Sequence, residues 1–421
     1  MERARGTRSA RRNSAAPEVD VAAIVATICE SAALPLERAR TLPPEAYRAR
    51  AFYELEVERI FRREWMCVAR VEEVAQPGDT LCVDLVGEPI VLTRDESGRL
   101  RALSRVCRHR AIDLMSGKPP RCSGATRLTC PYHLWTYRLD GTLIGAPEMQ
   151  RAAGFERADY ALAEFGVETW QGFVFVNLDR AAPPLAPRLV EIEKLIEPVD
   201  LAGWQTAGTV PWGEVEANWK VVIENAAECY HHMGTHAETL QPLWPGSTVR
   251  PQGDASWFWA AMKTSEALAA GHEDGEPLHP IFLPPVPGLT AKQRSATLIV
   301  GVFPMFFFAL SPDIATWYRW LPTGPESHSL EIHILTQPSA RAWPGYGEAV
   351  AHILEAVRGI QAEDAQACLG VQRGLRSRSA ATGRLSDLER PLWLFQKYLG
   401  GRLSADAGDD RGGRTGLGAT R

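Results

Sequence analysis

Two short cysteine–histidine doublets constrain this 421-residue chain more than any other feature. Cys107 and His109 stand two positions apart, and Cys130 and His133 stand three apart. Thiolates and imidazoles at such spacings are typical metal ligands, and two doublets supply four of them. The segment is therefore expected to fold into two neighbouring loops that bring four side chains to one inorganic centre.

Three kinds of centre can use these four ligands. A zinc ion would take all four in a tetrahedron. A single iron or copper ion is less well matched, because no special axial residue accompanies the doublets. A [2Fe–2S] cluster with two histidines on one iron is the third option. The surroundings favour the cluster, since Pro131 stiffens the second loop and Trp135 and Tyr137 can shield the centre. Such a cluster accepts and passes on an electron, which zinc cannot do.

The other cysteines do not suggest a disulfide framework. Cys122 lies in a loop between the two doublets and is not expected to be a ligand. Five more stand singly in apolar surroundings, as reduced thiols of a protein core do: Cys29, Cys67, Cys82, Cys229 and Cys368. The expected location is a reducing compartment, the cytoplasm.

Composition is that of a folded, soluble protein with more than one core. Hydrophobic residues make up 45% of the chain, and its length suits two domains. A net charge of −5 gives no reason to expect a nucleic-acid partner. The longest apolar stretch, residues 297–310, contains Pro304 and is too short to span a bilayer, so a buried strand is predicted there and no membrane association.

The apolar and turn patterns divide the chain into four parts. The first predicted part is a disordered extension over 1–40, and the second is an N-terminal helix with a β-rich domain over 41–165. The third is a catalytic domain over 166–402, and the fourth is a disordered tail over 403–421. Within the extension, the apolar residues of 21–28 nevertheless follow helical spacing behind Asp20, a plausible N-cap. The pair Arg11–Arg12 leaves a targeting peptide open, although Pro17 interrupts it. Strands first and a long helix at about 346–375 indicate an α+β fold.

A second group of possible ligands lies in residues 218–236, which are predicted to be helical. A solvated helix face is the ordinary explanation for such a segment. Glu228 and His231 are three residues apart and share a face, whereas His236 lies about 140° further round an ideal helix. Gly234 stands between the two histidines and can break the helix, turning the second imidazole back. A metal site explains such a break, and a surface helix does not need one.

Two histidines leave a metal ion short of ligands, and the long C-terminal helix offers a third. Asp364 falls on the apolar stripe of that helix, while Glu363 is rotated away from it. A carboxylate on a buried face is costly unless it is paired or bound to metal. His231, His236 and Asp364 would form the two-histidine, one-carboxylate set of non-haem Fe(II) sites that activate O₂.

Both groups resemble the motifs of the Rieske ring-hydroxylating oxygenase α subunits. The resemblance rests on Cys107-Arg108-His109-Arg110, Cys130-Pro131-Tyr132-His133, the segment 218–236 and the segment around Asp364. It covers most of the chain, from about Tyr47 to Leu399. Twenty residues separate His109 from Cys130, a few more than is usual in the family, and Ala111 stands where the family commonly has glycine.

The resemblance implies a Rieske [2Fe–2S] domain and a helix-grip catalytic domain with an antiparallel sheet. It implies one [2Fe–2S] cluster on Cys107, His109, Cys130 and His133, and one mononuclear Fe(II) on His231, His236 and Asp364. Glu228 matches the family's bridging acid, more often Asp, which would hydrogen-bond His231 and reach His133 of a neighbouring subunit. His232 has no assigned role and is expected to face away.

The function that the resemblance implies is that of a terminal oxygenase. An NAD(P)H-dependent reductase, with or without a ferredoxin, would deliver the electrons, and the chain would form a homotrimer. The sequence around Glu228 resembles most the branch of the family that acts on betaine-like substrates. This resemblance favours hydroxylation or oxidative demethylation of a small organic molecule over aromatic cis-dihydroxylation. Several aromatic residues of 257–259, 303–308 and 317–320 could stack on the substrate or cage a quaternary ammonium group, although most are expected in the core.

Two other classes of protein use part of the same motifs. A Rieske electron carrier with an unrelated second domain would hold two irons per chain, and a zinc-stapled binding module would hold none. The oxygenase would hold three.

Overall fold

The computed structural model describes residues 19–265 and 283–404. They form an α+β structure with two seven-stranded sheets and one three-stranded sheet. The α-helices of the described residues are α1 (Val21–Ala33), α2 (Arg50–Glu56), α3 (Ala186–Ile196), α4 (Trp219–Ala227), α5 (His232–Thr235), α6 (Ala291–Arg294), α7 (Tyr346–Leu375) and α8 (Arg390–Leu403). No helix of these ranges is long and apolar enough to cross a membrane.

The strands are numbered in chain order. They are β1 (Met66–Arg70), β2 (Thr80–Leu85), β3 (Glu88–Arg94), β4 (Leu100–Ser104), β5 (Arg121–Cys122), β6 (Leu128–Thr129), β7 (Thr136–Tyr137), β8 (Leu143–Gly145), β9 (Glu164–Trp170), β10 (Phe173–Asn177), β11 (Gln205–Val215), β12 (Gln252–Gly253), β13 (Trp257–Lys263), β14 (Ala296–Val302), β15 (Phe306–Leu310), β16 (Ile314–Gly324) and β17 (Ser327–Thr336).

The first sheet contains β9 and β10, the two strands at the predicted start of the catalytic domain. Its order is β1-β10-β9-β4-β3-β2-β5, with every neighbour antiparallel. Strand β9 lies beside β4, with Leu103 opposite Glu164, and β10 pairs with β1, with Met66 opposite Val176. The predicted boundary at 165/166 falls within β9, which together with β10 belongs to the first sheet. Pairing with β4 and β1, which are distant in sequence, places β9 and β10 in this sheet.

The N-terminal part of the described chain belongs to the fold. The backbone N–H of Ala23 donates to Asp20 Oδ1 at 3.0 Å, which caps α1 as its spacing predicted. Helix α1 packs on α8, and Ser31 Oγ donates to Gln396 Oε1 at 3.0 Å across that contact. A disordered extension over 1–40 is thus wrong for residues 19–40. The rest of that extension and all but 403–404 of the predicted tail lie outside the described residues.

The second sheet lies entirely within the predicted catalytic domain. Its order is β11-β17-β16-β15-β14-β13-β12, again antiparallel throughout. The apolar stretch 297–310, predicted as one strand, is a hairpin of β14 and β15 that turns at Phe303–Pro304–Met305. A proline ring removes a backbone donor, which suits a turn and not the middle of a sheet. The 30-residue α7 has the predicted bounds and packs against β11 and α4.

A buried ion pair joins the N-terminal helix α2 to α4. Lys220 Nζ on α4 donates to Glu56 Oε1 on α2 at 2.6 Å, and both side chains are fully buried. The indole N–H of Trp219 donates to the other oxygen of Glu56 at 3.1 Å. Burial raises the pKa of Glu56, and the Lys220 ammonium opposes that shift. The Glu56–Lys220 ion pair fixes the position of α4, which is followed directly by the second group of possible ligands.

Candidate metal centres

Two loops bring the cysteine–histidine doublets together. Cys107 and His109 follow β4, while Cys130 and His133 lie in the turn between β6 and β7. Both cysteines are buried, and the two imidazole rings lie 4.5 Å apart between centroids. Nδ1 of each histidine is buried without a hydrogen-bond partner. Two buried thiols beside two unpartnered imidazole nitrogens are suited to a metal cluster, which would supply the missing partners.

Aromatic side chains surround this group. The Trp135 ring stacks on His109 at 4.8 Å, and the Tyr132 ring lies against His133 at 3.8 Å. The Tyr137 hydroxyl lies 3.5 Å from Cys107 Sγ and accepts the Arg108 backbone N–H at 3.1 Å. Trp135 and Tyr137 are almost completely buried, as their predicted shielding role requires, whereas half of Tyr132 is exposed.

Ala111 has a left-handed backbone. Its φ is 56°, in the first doublet's turn. Glycine adopts this conformation without steric cost, so a glycine at this position in the family has a physical explanation. The Ala111 backbone N–H donates to the Cys107 carbonyl at 2.9 Å, so the turn closes despite the Cβ.

The segment 218–236 is not one helix. Asn218 caps α4 by accepting the Lys220 N–H at 2.8 Å, and α4 ends at Ala227. Glu228 is extended, with φ −133° and ψ 149°, and His231 then precedes the short helix α5. The predicted break is real, but it lies before His231 and not at Gly234. The change of direction at Glu228 turns His231 and His236 toward the same point.

The three predicted iron ligands lie together. One ligand atom from each of His231, His236 and Asp364 falls within 4.8 Å of the others. Asp364 comes from α7, and its Oδ1 lies 3.0 Å from His236 Nε2 and 3.5 Å from His231 Nε2. Two imidazole nitrogens and one carboxylate oxygen on one side of a point suit an Fe(II) ion with open positions.

A carboxylate fixes the other nitrogen of each imidazole. His231 Nδ1 lies 2.9 Å from Glu228 Oε1, and His236 Nδ1 lies 2.6 Å from Glu363 Oε2. Since an ionised carboxylate only accepts, each Nδ1 carries a proton, and Nε2, the atom that faces Asp364, is the one that would bind a metal. The expectation that Glu363 points away is wrong, because His236 lies beyond Asp364 and meets the neighbouring position of α7. The helical stripe alone did not identify this residue.

The electrostatics of the site favour a positive charge between these groups. Burial alone would lower the pKa of His231, but hydrogen bonds to Asp364 and Glu228 outweigh burial and raise it to about 9. Burial would raise the pKa of Asp364, but its hydrogen bonds to both histidines lower it to about 2. The field that stabilises imidazolium would also stabilise a divalent cation.

His232 takes no part in this group. Its side chain is buried, and its Nδ1 lies 3.1 Å from the Trp244 carbonyl oxygen. Burial and the charge of His231 lower its pKa to about 4. A neutral His232 would donate Nδ1–H to that carbonyl. This bond would hold the segment after α5 against residues 228–236, which we call the ligand loop.

A cavity of about 460 Å³ opens beside His231, His236 and Asp364. Its wall is mostly apolar, and Phe307, Tyr318 and Trp320 form one part of it, with ring centroids 5.0–5.5 Å apart. The polar residues of the wall other than these ligands, Glu228 and His232 include Asn225, Thr239, Thr297, Ser311, Thr316 and Gln361. Most of the other predicted aromatic residues, such as Phe308 and Trp317, are buried in the core.

Two protein families match the chain, one for each centre. Residues 64–166 match the Rieske [2Fe-2S] domain, and residues 198–405 match the family described as "Ring hydroxylating alpha subunit (catalytic domain)". The two matches follow one another and cover the two candidate centres. The chain belongs to the Rieske oxygenase α subunits of the ring-hydroxylating family.

Two curated relatives are named for quaternary ammonium substrates. The chain is 36% identical to the carnitine monooxygenase oxygenase subunit of Acinetobacter pittii over 52% of its own length and 56% of that protein. It is 34% identical to the glycine betaine monooxygenase oxygenase subunit of Pseudomonas aeruginosa over 48% and 46%. The matched part thus spans about half the length of these relatives.

A solved structure matches over most of its length. A quaternary ammonium Rieske monooxygenase superimposes with a TM-score of 0.75 at 25% identity, covering 89% of this chain and 98% of that one.

Proposed function

We propose that this protein is the terminal oxygenase of a Rieske monooxygenase system that hydroxylates a quaternary ammonium compound. The observation that carries the proposal is the convergence of His231, His236 and Asp364 beside an apolar cavity, in a chain that also brings Cys107, His109, Cys130 and His133 together. A Rieske electron carrier would need only the group of Cys107, His109, Cys130 and His133.

Each residue has a proposed role. Cys107, Cys130, His109 and His133 would hold a [2Fe–2S] cluster, and His231, His236 and Asp364 would hold Fe(II). These groups would supply electron transfer and O₂ activation. Glu228 and Glu363 keep the imidazoles in one tautomer and orientation. In the overall reaction one C–H bond becomes C–OH with one atom of O₂, and the other atom leaves as water with two electrons and two protons.

The substrate class follows from the relatives and the cavity. Both curated relatives are named for quaternary ammonium substrates, carnitine and glycine betaine. Aromatic rings attract such cations through the negative faces of their π systems. Phe307, Tyr318 and Trp320 supply these faces, and the carboxylates of Glu228 and Asp364 add negative charge. A hydroxylated N-methyl carbon would release formaldehyde and leave a tertiary amine.

The proposed oxygenase role requires a protein that supplies electrons. Relatives named as oxygenase subunits imply a separate reductase, here an NAD(P)H-dependent one with or without a ferredoxin. The related structure concerns inter-subunit electron transfer, and a homotrimer would allow the same in this protein. Glu228 would then link His231 to His133 of the neighbouring subunit.

Single-turnover chemistry tests the proposal. Iron-replete protein is reduced, mixed with ¹⁸O₂ and a panel of quaternary amines, methoxy-aromatics and aromatic acids, and the products are analysed by mass spectrometry with formaldehyde trapping. We expect a quaternary amine to give either trapped formaldehyde together with the tertiary amine, or a stable hydroxylated product that contains one ¹⁸O atom. A cis-diol with two ¹⁸O atoms would make the protein a ring dioxygenase, and no product from any compound would contradict oxygenase function.

The variant His236→Ala is the matched control. It should hold two irons per chain in place of three, keep the visible absorption of the cluster and form no product. Turnover by this variant would contradict the proposed iron site.

A further inference from the structure

Positive charge is concentrated on the segment that carries the two cysteine–histidine doublets. With neutral histidines, residues 105–138 contain six arginines, one lysine and a single acid, Asp113, so their net charge is +6 in a chain of net charge −5. Arg105 is buried and pairs with Asp84 at 2.6 Å and with Asp113 at 3.2 Å. The other six cations are exposed and form no salt bridge to any acid that the structure describes: Arg108, Arg110, Lys118, Arg121, Arg127 and Arg138. Their charge is therefore available to a partner.

Three of these six cations lie in the segment between the doublets, residues 116–127, which we call the basic loop. Part of this loop is β5, which pairs with β2 at the edge of the first sheet. The Cys82 backbone N–H donates to the Pro120 carbonyl at 2.7 Å. Lys118 Nζ donates at 3.4 Å to the carbonyl of Thr129, the residue before the second doublet. The basic loop thus has a defined position beside the candidate cluster.

Two exposed apolar side chains flank the predicted ligand His133. Tyr132 is 51% exposed and Leu134 is 60% exposed. The Arg110 guanidinium lies 5.3 Å from the centroid of the Tyr132 ring and donates to its hydroxyl at 3.2 Å. His109 and His133 are only half-buried, so two predicted cluster ligands reach the surface here. A small apolar centre with charged residues around it is the usual composition of a protein–protein contact.

Electrostatic attraction is the means by which weakly bound electron-transfer partners meet. Their contacts are small, and opposite charges raise the rate of encounter and fix the orientation in which the two proteins dock. A donor protein with acidic residues around its redox centre would be attracted to the cations at this surface. A basic donor would be repelled by the same charges.

We infer that the basic loop and the exposed residues of the two doublets form the docking surface for an electron-donor protein with an acidic face. The inference rests on the proposed function, because it assumes a cluster on Cys107, His109, Cys130 and His133. One electron passes from the reduced donor to the cluster, so the donor is oxidised by one electron and one Fe(III) of the cluster becomes Fe(II). The basic loop attracts and orients the donor and does not touch the reacting atoms.

Salt dependence in the unmodified protein is the first test. The probe is a chemically reduced plant-type [2Fe–2S] ferredoxin with an acidic surface, mixed with the oxidised protein without O₂ or substrate. Rapid freezing and electron paramagnetic resonance follow the reduction of the Rieske cluster. The rate should fall at least about tenfold between about 20 mM and about 500 mM salt. A rate that does not depend on salt would overturn the inference.

Reversal of three charges tests the basic loop itself. In the variant Lys118→Glu/Arg121→Glu/Arg127→Glu the rate at low salt should fall about 10–100-fold, and the affinity for oxidised ferredoxin in calorimetric titration should fall by a similar factor. The matched control reverses one lysine and two arginines at exposed positions elsewhere: Arg180, Lys292 and Arg358. Its rate and affinity should stay within about twofold of the unmodified protein. Equal behaviour of the two triple variants would contradict docking at the basic loop.

A single variant guards against a folding defect. The Arg127 side chain forms no hydrogen bond or ion pair with any residue that the structure describes, so Arg127→Glu reverses a charge without removing a contact. We expect the cluster absorption to be unchanged and the rate with ferredoxin at low salt to fall about threefold. An unchanged rate in this variant would count against the basic loop.

Small oxidants of opposite charge measure the field at the cluster without a protein partner. Ferricyanide and hexaammineruthenium(III) each take one electron from the reduced cluster. Added salt should slow the reaction with the ferricyanide anion and speed the reaction with the ruthenium cation. Both trends should weaken in the triple variant of the basic loop. The opposite trends in the unmodified protein would show that the field at the cluster is negative, and the inference would fail.

A second copy of the chain is the competing occupant of this surface. If the triple variant of the basic loop changes the oligomeric state in light scattering, the loop is a contact between subunits and the docking inference fails. If charge reversal slows reduction by ferredoxin but no compound gives an oxygenated product, the oxygenase proposal fails and the docking surface stands. If chemically reduced protein gives product but charge reversal leaves the reaction with ferredoxin unchanged, the oxygenase proposal stands and the docking surface fails.

Discussion

At the scale of single residues, the candidate iron site depends on which nitrogen of each imidazole carries a proton. Glu228 and Glu363 accept from Nδ1 of His231 and His236, and both Nε2 atoms face Asp364 Oδ1. Hydrogen-bonded partners of this kind orient metal ligands and strengthen their basicity. The two carboxylates come from different segments, so the tautomers depend on the packing of α7 against the ligand loop.

Replacement of Glu363 by glutamine tests this dependence. In Glu363→Gln an amide replaces the carboxylate, and the negative charge that supports His236 is lost. Affinity for Fe(II) should fall about 10–100-fold, while the absorption of the cluster should not change. Titration of iron-free protein with Fe(II) measures the affinity. Glu355→Gln, at an 82% exposed side chain of the same helix, is the control. Equal affinity in both variants would mean that Glu363 does not support the iron ligand.

At the scale of elements, the ligand loop is shaped by a close approach of two backbone segments. A Cβ on Gly246 would lie 1.9 Å from the Cys229 carbonyl oxygen, and this oxygen belongs to the extended turn between α4 and α5. Gly234, which lies between the two histidines, has open space around its Cβ position. Gly246 therefore constrains the backbone of the loop, and Gly234 does not.

The pair Gly246→Ala and Gly234→Ala distinguishes these positions. Gly246→Ala must displace the Cys229 backbone, so we expect the iron content to fall from three to about two per chain with the cluster absorption retained. Gly234→Ala should keep three irons, since alanine is favoured over glycine in a helix. Iron and acid-labile sulfide assays measure both centres. Full iron content in Gly246→Ala would show that the loop adjusts without losing its ligands.

At the scale of the whole molecule, the candidate metal centres lie in different domains and a shared core holds these together. Buried residues of α1, α2, the first sheet, α4 and α8 pack in one hydrophobic cluster. The buried pair Glu56–Lys220 crosses this cluster and ties α2 to α4. Replacing one partner leaves an uncompensated buried charge, whereas replacing both does not.

Unfolding by urea tests the contribution of the pair. Lys220→Met should destabilise the protein by about 3–5 kcal/mol, because Glu56 loses its opposite charge. The double variant Glu56→Gln/Lys220→Met should recover much of that loss. Similar midpoints for Lys220→Met and the unmodified protein would show that Glu56 is not ionised in the folded state.

Local patterns in the sequence were sufficient to name candidate ligands and to predict several elements. Residue identity determines which atoms can bind metal, so both doublets, His231, His236 and Asp364 could be named as candidates before any fold was known. Helical spacing gave the bounds of α7 and the N-cap of α1. These features depend on neighbours within a few residues, which a single sequence contains.

Only the tertiary structure decided which distant segments meet. The place of β9 and β10 in the first sheet, the bend at Glu228, the contact between Glu363 and His236 and the opening of the cavity beside Gln361 all depend on packing between segments far apart in sequence. A helical stripe shows which face of α7 is apolar but not which residue of the ligand loop lies opposite it. Those contacts depend on the free energy of packing the whole core, and the residues next to each other in sequence do not determine it.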